Sequence, residues 1–224
     1  MPRVAIPTDV RESVLDAAER LMNSNGYKKM TMEAIAREAR IGKATIYGYF
    51  ANKEDVAMCV IRRFQESVKV ELERIAAGPK SPDQRLREML FYLVLASFDK
   101  AHQCRRSMDE TLAALRHTIL QRRYEYNREL ARILVSVLRQ GSDTGLFEIS
   151  DPEATARVLI TAVSGLNPTN LSPHELGERD EIEMRTKQVV DLALSGLRAC
   201  KCVEPKVLGT SITLGGRKES RDVG

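Results

Sequence analysis

The chain has 224 residues, enough for one large domain or for a small domain joined to a larger one. Hydrophobic residues make up 43% and aromatics 5%, with no Trp, a balance that excludes global disorder, supports a sizeable core and favours helix over sheet. The net charge of +4 is mildly basic and its residues are spread along the chain, so charge alone fits a solvated surface as well as an anionic partner.

Residues 1–8 read as an arm without a long apolar stretch, so no secretory signal is expected. Asp9 to Asn25 carries Val10, Val14, Ala17, Ala18, Leu21 and Met22 at helical spacing, and Gly26 follows as a C-terminal glycine. Thr31 opens a short helix with Met32, Ile35, Ala36 and Ala39 on one face. Ile41-Gly42 is a break, and Lys43 to Phe50 forms a third helix. Asn52 caps a fourth, starting at Lys53, with Glu54 and Asp55 where the helix dipole favours acids.

Gly78-Pro79-Lys80-Ser81-Pro82 is the clearest linker, and Ser81, Pro82 and Gln84 start a fifth helix running to about Gln103. Residues 107–140 are expected to hold a short helix and then a long one ending at Gly141. Asp151-Pro152 starts another, to about Leu166, and the last runs from Arg179 to Ala199. The pattern then dissolves into a tail expected to be mobile. No apolar run is long enough to span a membrane. Residues 154–166 and 189–197 are apolar on nearly every side, which demands cover on more than one face; a subunit interface about a twofold axis is favoured over a deep core.

The stretch Thr31 to Phe50, TMEAIAREARIGKATIYGYF, has the form of two short helices joined by a tight turn. Ala36 is small at the crossing, while Ile35, Ile41 and Ile46 form a miniature core. A helix-turn-helix needs this arrangement to hold one helix across the other. Lys43, Ala44, Thr45, Tyr47 and Tyr49 then lie on or near an exposed face able to meet phosphates and base edges. No acid lies between Arg40 and Lys53. Two amphipathic helices in an ordinary bundle, with the aromatics in the core, satisfy the same pattern.

Val14 to Val56 resembles the N-terminal signature of the TetR family of bacterial regulators, in the Ala-Ala-Glu-Arg-Leu run from Ala17, Asn25-Gly26-Tyr27, Thr31-Met32, Thr45-Ile46-Tyr47, Tyr49-Phe50 and Lys53-Glu54-Asp55. The resemblance implies an all-α chain: a three-helix helix-turn-helix DNA-binding domain over residues 1–52, a helical ligand-binding and dimerisation domain over 53–200, and a tail over 201–224. It implies that Thr31 contacts phosphate, that Lys43 to Tyr49 form the recognition helix with Tyr47 and Tyr49 on the backbone, and that Lys53 faces the backbone too. Three positions depart from the family pattern. Arg40 stands at the turn position that is usually Gly; a positive φ there would cost about 1 kcal/mol, so either the turn differs slightly or Arg40 adds a phosphate contact. Gly42 replaces a Ser or Thr cap, and Gly48 weakens the recognition helix by about 1 kcal/mol relative to Ala.

The function implied is a cytoplasmic repressor that binds palindromic operator DNA as a homodimer and is released by a small, largely apolar molecule. Candidate ligand contacts are Phe91, Leu95, Phe98, Leu112, Leu115, Tyr124 and Val163, with His102, Asp109, His117 and Arg128 as polar partners; for each, ordinary core or surface is the competing reading. Candidate interface residues are Val158, Thr161, Ala162, Gly165, Val189, Leu192, Ala193 and Leu197. No cofactor or metal is expected: the Cys200–Cys202 pair lacks a second pair of ligands. An enzyme is disfavoured, since the three His form no Glu-x-x-His pair and no nucleophile elbow or Gly-rich phosphate loop is present. The other rival is a helical module that binds protein instead of DNA.

Overall fold

The computed structural model describes residues 8–103, 108–168, 170, 171, 175 and 177–198. The arm through residue 7, the tail, Cys104, His174, Cys200, Cys202 and the side chain of Asp109 lie outside the described residues. The described part is all-helical: α1 (Thr8–Asn25), α2 (Met32–Glu38), α3 (Lys43–Tyr49), α4 (Lys53–Ala76), α5 (Pro82–Gln103), α6 (Met108–Asp143), α7 (Pro152–Ser164) and α8 (Arg179–Leu197). A single antiparallel bridge, Phe147 to Arg198, ties the end of α8 to the loop after α6.

The helix ends follow from local chemistry. Gly26 closes α1 at φ +82°, a left-handed conformation that costs glycine least. The amides of Ala34, Asp55 and Ala154 donate to the side chains of Thr31, Asn52 and Asp151 at 3.1, 2.9 and 2.8 Å, satisfying first-turn donors that no helix can pair internally. Glu178 and Glu181 form a reciprocal capping box at the start of α8. The side chain of Arg85, 7% exposed, donates to the carbonyl of Ala76 at the end of α4 and to Gln140 on α6, so one guanidinium joins three helices.

Two expectations fail around α6. The helix is one uninterrupted rod of 36 residues, because nothing between Met108 and Gln140 is Gly or Pro and no local conformation competes with the helix. Gly141 does not end it. The positive φ falls at Gly145, and a Cβ on Gly141 would strike the ring of Phe147, which packs over the last turn. Gly141 is present for space.

The apolar faces collect into two cores. The smaller takes Val14, Leu15, Met30, Ile35, Ile46 and Phe50 from α1 to α3 and their loops, then Val56 to Val60 of α4 and Leu115 of α6. The larger joins Val68, Leu72 and Ile75 of α4 with α5, the second half of α6, α7 and α8. The N-terminal core therefore runs past residue 52 and hands over inside α4, near Phe64, which packs against the larger cluster. No helix among the described residues is long and apolar enough to cross a membrane.

Gly141→Ala should destabilise the chain by about 1–3 kcal/mol, the usual cost of overpacking, although it raises helix propensity. Urea unfolding checks this; a neutral or stabilising result would show that Phe147 moves aside freely.

Candidate nucleic-acid interface and cavity

The turn between α2 and α3 sets the site. Ile41 N–H donates to the carbonyl of Ala36 at 2.9 Å and Arg40 N–H to that of Arg37 at 3.1 Å, the paired bonds of a Schellman ending. Arg40 occupies its left-handed position at φ +56°, so the turn keeps the glycine geometry with an arginine in it. Such a conformation costs an ordinary L-residue roughly 1–2 kcal/mol. The Arg40 side chain stands exposed at the corner facing α3. Gly42 is the α3 N-cap and supplies no side-chain bond.

Helix α3 is fixed from beneath by Ile46, fully buried, and by Phe50 just beyond it. Lys43, Ala44 and Thr45 are exposed and Tyr47 is 47% exposed, so they share the outward face. Tyr49 is half-buried and packs against the smaller core. Lys43 meets the Glu33 carboxylate of α2 at 2.5 Å, which raises the Lys43 pKa and lowers that of Glu33 through their hydrogen bond. An acid outside the 40–53 segment thus neutralises the first cation of α3.

Two residues assigned to phosphate by resemblance have structural partners here. The Thr31 hydroxyl caps α2. The Lys53 ammonium donates to the carbonyls of Tyr27 and Lys28, both at 3.2 Å, and lies 4.6 Å from the centre of the Tyr27 ring. It pins the loop after α1 to the start of α4 and does not stand free.

A cavity of about 220 Å³ lies where α1, α4, α5 and α6 meet, lined also by Ser164 and the segment after α7. Of the candidate ligand contacts among the described residues, only Leu112 lines it. Phe91 and Leu95 are half-buried against the larger core, in which Phe98 and Val163 are fully packed. Leu115 belongs to the smaller core. His102 is exposed and stacked on Phe98, and His117 is exposed beside Gln121 at 2.8 Å. Tyr124, 72% exposed, and Arg128 pair with each other on the outer surface of α6.

The cavity differs from the candidate set because it is not confined to the C-terminal helices: α1 contributes Glu19, Met22 and Asn23, and α4 contributes Val60, Ile61 and Phe64. The available signal was polar residues on faces that pack inward, since Thr111 Oγ1 and Asn167 Oδ1 are buried in this lining without a hydrogen-bond partner. The wall also holds Tyr126, whose phenol burial pushes well above its ordinary pKa and keeps neutral.

On the far side, α7 and α8 divide their apolar residues between two directions. Leu159, Ile160, Val163, Val190 and Leu194 face the core. Val158, 66% exposed, and Leu192, 77% exposed, face outward, together with Thr161, Ala162 and Gly165. Val189, Ala193 and Leu197 are half-buried at the edge of this surface.

Gly48 has nothing within 4 Å of where a Cβ would stand. Gly48→Ala should therefore stabilise the chain by about 1 kcal/mol through helix propensity alone. Thermal unfolding tests it, and an unchanged or lower midpoint would mean that α3 needs the glycine backbone.

Known proteins agree with this geometry. Residues 14–57 match the family model described as "Bacterial regulatory proteins, tetR family", and residues 82–190 match "Tetracyclin repressor-like, C-terminal domain". The chain is 30% identical over 159 residues to the HTH-type transcriptional regulator BetI of Agrobacterium fabrum, covering 70% of this chain and 73% of the relative. It is 27% identical over 154 residues to the uncharacterized HTH-type transcriptional regulator YhgD of Bacillus subtilis, covering 68% of this chain and 79% of the relative. The crystal structure of a transcriptional regulator from Cytophaga hutchinsonii superposes with a TM-score of 0.69 at 18% identity, covering 84% of this chain and 98% of that one. With both halves matched and the helix-turn-helix in place, the chain belongs to the TetR family of helix-turn-helix transcriptional regulators.

Proposed function

We propose that this regulator is a cytoplasmic repressor that binds a palindromic operator as a homodimer and is released when a small, largely apolar molecule enters the cavity between α1, α4, α5 and α6. The observation that carries the reading is the outward face of α3, where Lys43, Ala44, Thr45 and Tyr47 are exposed over a rigid base of Ile46 and Phe50. Lys43 and Arg40 supply charge for phosphates, Thr45 and Tyr47 supply hydroxyls, and Ala44 lets the backbone approach a base edge. Tyr49 packs beneath this face, while Thr31 caps α2 and Lys53 pins the loop after α1 to α4.

One such helix covers one half-site. Two half-sites repeat about 34 Å apart along a duplex, and the exposed apolar surface of α7 and α8 is what a twofold partner would cover. A patch with Val158 and Leu192 both more than 60% exposed is costly to leave in water. The cavity supports the switching part of the reading, because its walls come from the DNA-binding helices as well as from the C-terminal ones. A ligand there acts only through different affinity for the DNA-bound and free arrangements.

Selection from a random duplex pool should return palindromic sites. Binding to them should weaken steeply with salt. Lys43→Ala should lower the slope of log affinity against log salt by about 0.9, the loss of one neutralised phosphate. Glu33→Gln, which frees Lys43, should change the slope in the opposite direction. If Lys43→Ala and Tyr47→Ala both leave binding unchanged, α3 is not the recognition helix.

Light scattering at micromolar concentration should give a dimer for the natural chain and a monomer for Val158→Arg with Leu192→Arg. A natural chain that runs as a monomer defeats the interface assignment. Ser97→Phe, which fills the cavity, should abolish release of DNA by any compound that stabilises the natural chain.

A further inference from the structure

The polar wall of the cavity holds one acid between two cations. Glu19 of α1 accepts from Arg63 of α4 at 2.5 Å and also from Lys100 of α5. Arg63 in addition holds Glu12 at 3.0 Å and Asp16 at 2.6 Å, so it is fastened to α1 independently of Lys100. Burial works to raise the Glu19 pKa, and the bonds from Lys100 and Arg63 outweigh it and bring the pKa below its ordinary value. If Lys100 turns away, Glu19 keeps its bond from Arg63, whereas Lys100 requires another acceptor. The remaining charged residue of the lining, Arg123, is a cation, bonded to the neutral carboxamide oxygen of Asn170 at 3.3 Å.

Of the three charged residues in the lining, two are cations, Lys100 and Arg123, so the lining itself favours an anion. Most of the rest is apolar, including Met22, Val60, Ile61, Phe64, Leu112 and Ile119. A cavity of about 150 Å³ takes benzene. One of about 220 Å³ therefore suits a molecule of roughly ten non-hydrogen atoms.

We propose that the cavity takes an apolar carboxylic acid of this size, whose carboxylate replaces Glu19 as the partner of Lys100. The proposal rests on reading this cavity as the effector site. The Thr111 hydroxyl, buried without a partner, can donate to the ligand, and Asn167 Oδ1 can accept from a hydroxyl on it. In the exchange Glu19 keeps its bond from Arg63, which it shares with Glu12 and Asp16, and Lys100 passes to the ligand. It also removes the Lys100 tie between α1 and α5, so the DNA-binding helices loosen from the C-terminal ones and affinity for the operator falls.

The full chain is titrated by calorimetry at neutral pH with octanoate and with octanamide, its uncharged counterpart. Octanoate should bind at least tenfold more tightly. Lys100→Met should erase that preference, Lys100→Arg should keep it, and Ser97→Phe should abolish binding of both probes; thermal unfolding establishes that each variant is folded. Equal affinity for the two probes, binding of octanamide alone, binding of neither, or an unchanged preference in folded Lys100→Met overturns the carboxylic acid. The effector cavity itself stands in those cases if some other apolar compound raises the melting temperature of the natural chain and not of Ser97→Phe. An unaltered response in Ser97→Phe overturns the cavity as well.

Discussion

Helix α4 belongs to two hydrophobic cores at once. Val56 to Val60 are buried with the helix-turn-helix, and Val68, Leu72 and Ile75 are buried among α5 to α8. A fully buried aliphatic side chain contributes about 1.5–3 kcal/mol, so neither group of contacts can be exchanged for solvent at ordinary temperature. The DNA-reading face is therefore carried on the same rigid element as the effector half, and any rearrangement between them must turn on weaker contacts. The ion pairs from α1 to α4 and α5 are of that weaker kind. Arg63, Glu19 and Lys100 keep 27–29% of their side-chain surface exposed, and partly solvated pairs are typically worth about 1 kcal/mol or less. Burial thus fixes which helices are neighbours, and these ion pairs set how the neighbours are angled.

The helix-turn-helix shows how far a fold tolerates an unfavourable local residue. The Schellman bonds at Ala36 and Arg37, the burial of Ile35 and Ala36 and the packing of Ile46 together outweigh the left-handed strain at Arg40. Gly42 and Gly48 leave α3 with a weak start and a soft middle, so its position comes from packing beneath it more than from its own propensity. A charge placed at a strained corner beside the exposed face of α3 is the sort of departure that function maintains against stability.

The parts of this architecture legible in the sequence were those governed by local rules. Caps at Thr31, Asn52 and Asp151, the glycine after α1 and the linker before Pro82 mark helix ends because each satisfies or removes a particular backbone donor. The positive φ at residue 40 was signalled only by the family resemblance, which puts a Gly at that turn position. The parts that were not legible depend on what stands opposite. Gly141 looks like a terminator until Phe147 is seen to need its missing Cβ. Leu115 fits either a cavity wall or a core, and only the approach of α6 to the N-terminal helices assigns it to the smaller core. Lys53 and Lys43 look free in the sequence, and their partners lie 25 and 10 positions away. The cavity was hidden because its walls combine segments more than a hundred residues apart.

The continuity of α6 has a mechanical meaning. Leu115 is buried in one core and Leu134 in the other, on a single helix with no Gly or Pro between them. At 1.5 Å per residue these two anchors are about 28 Å apart. A jointed pair of helices could absorb a disturbance at the joint, but a straight rod cannot. If the α7 end pivots by about 5°, the Leu115 end sweeps about 2 Å, more than a third of the helical pitch. The rod is thus a lever whose long arm ends in the smaller core, beneath the helix-turn-helix, and small adjustments at its α7 end are magnified before they reach that core.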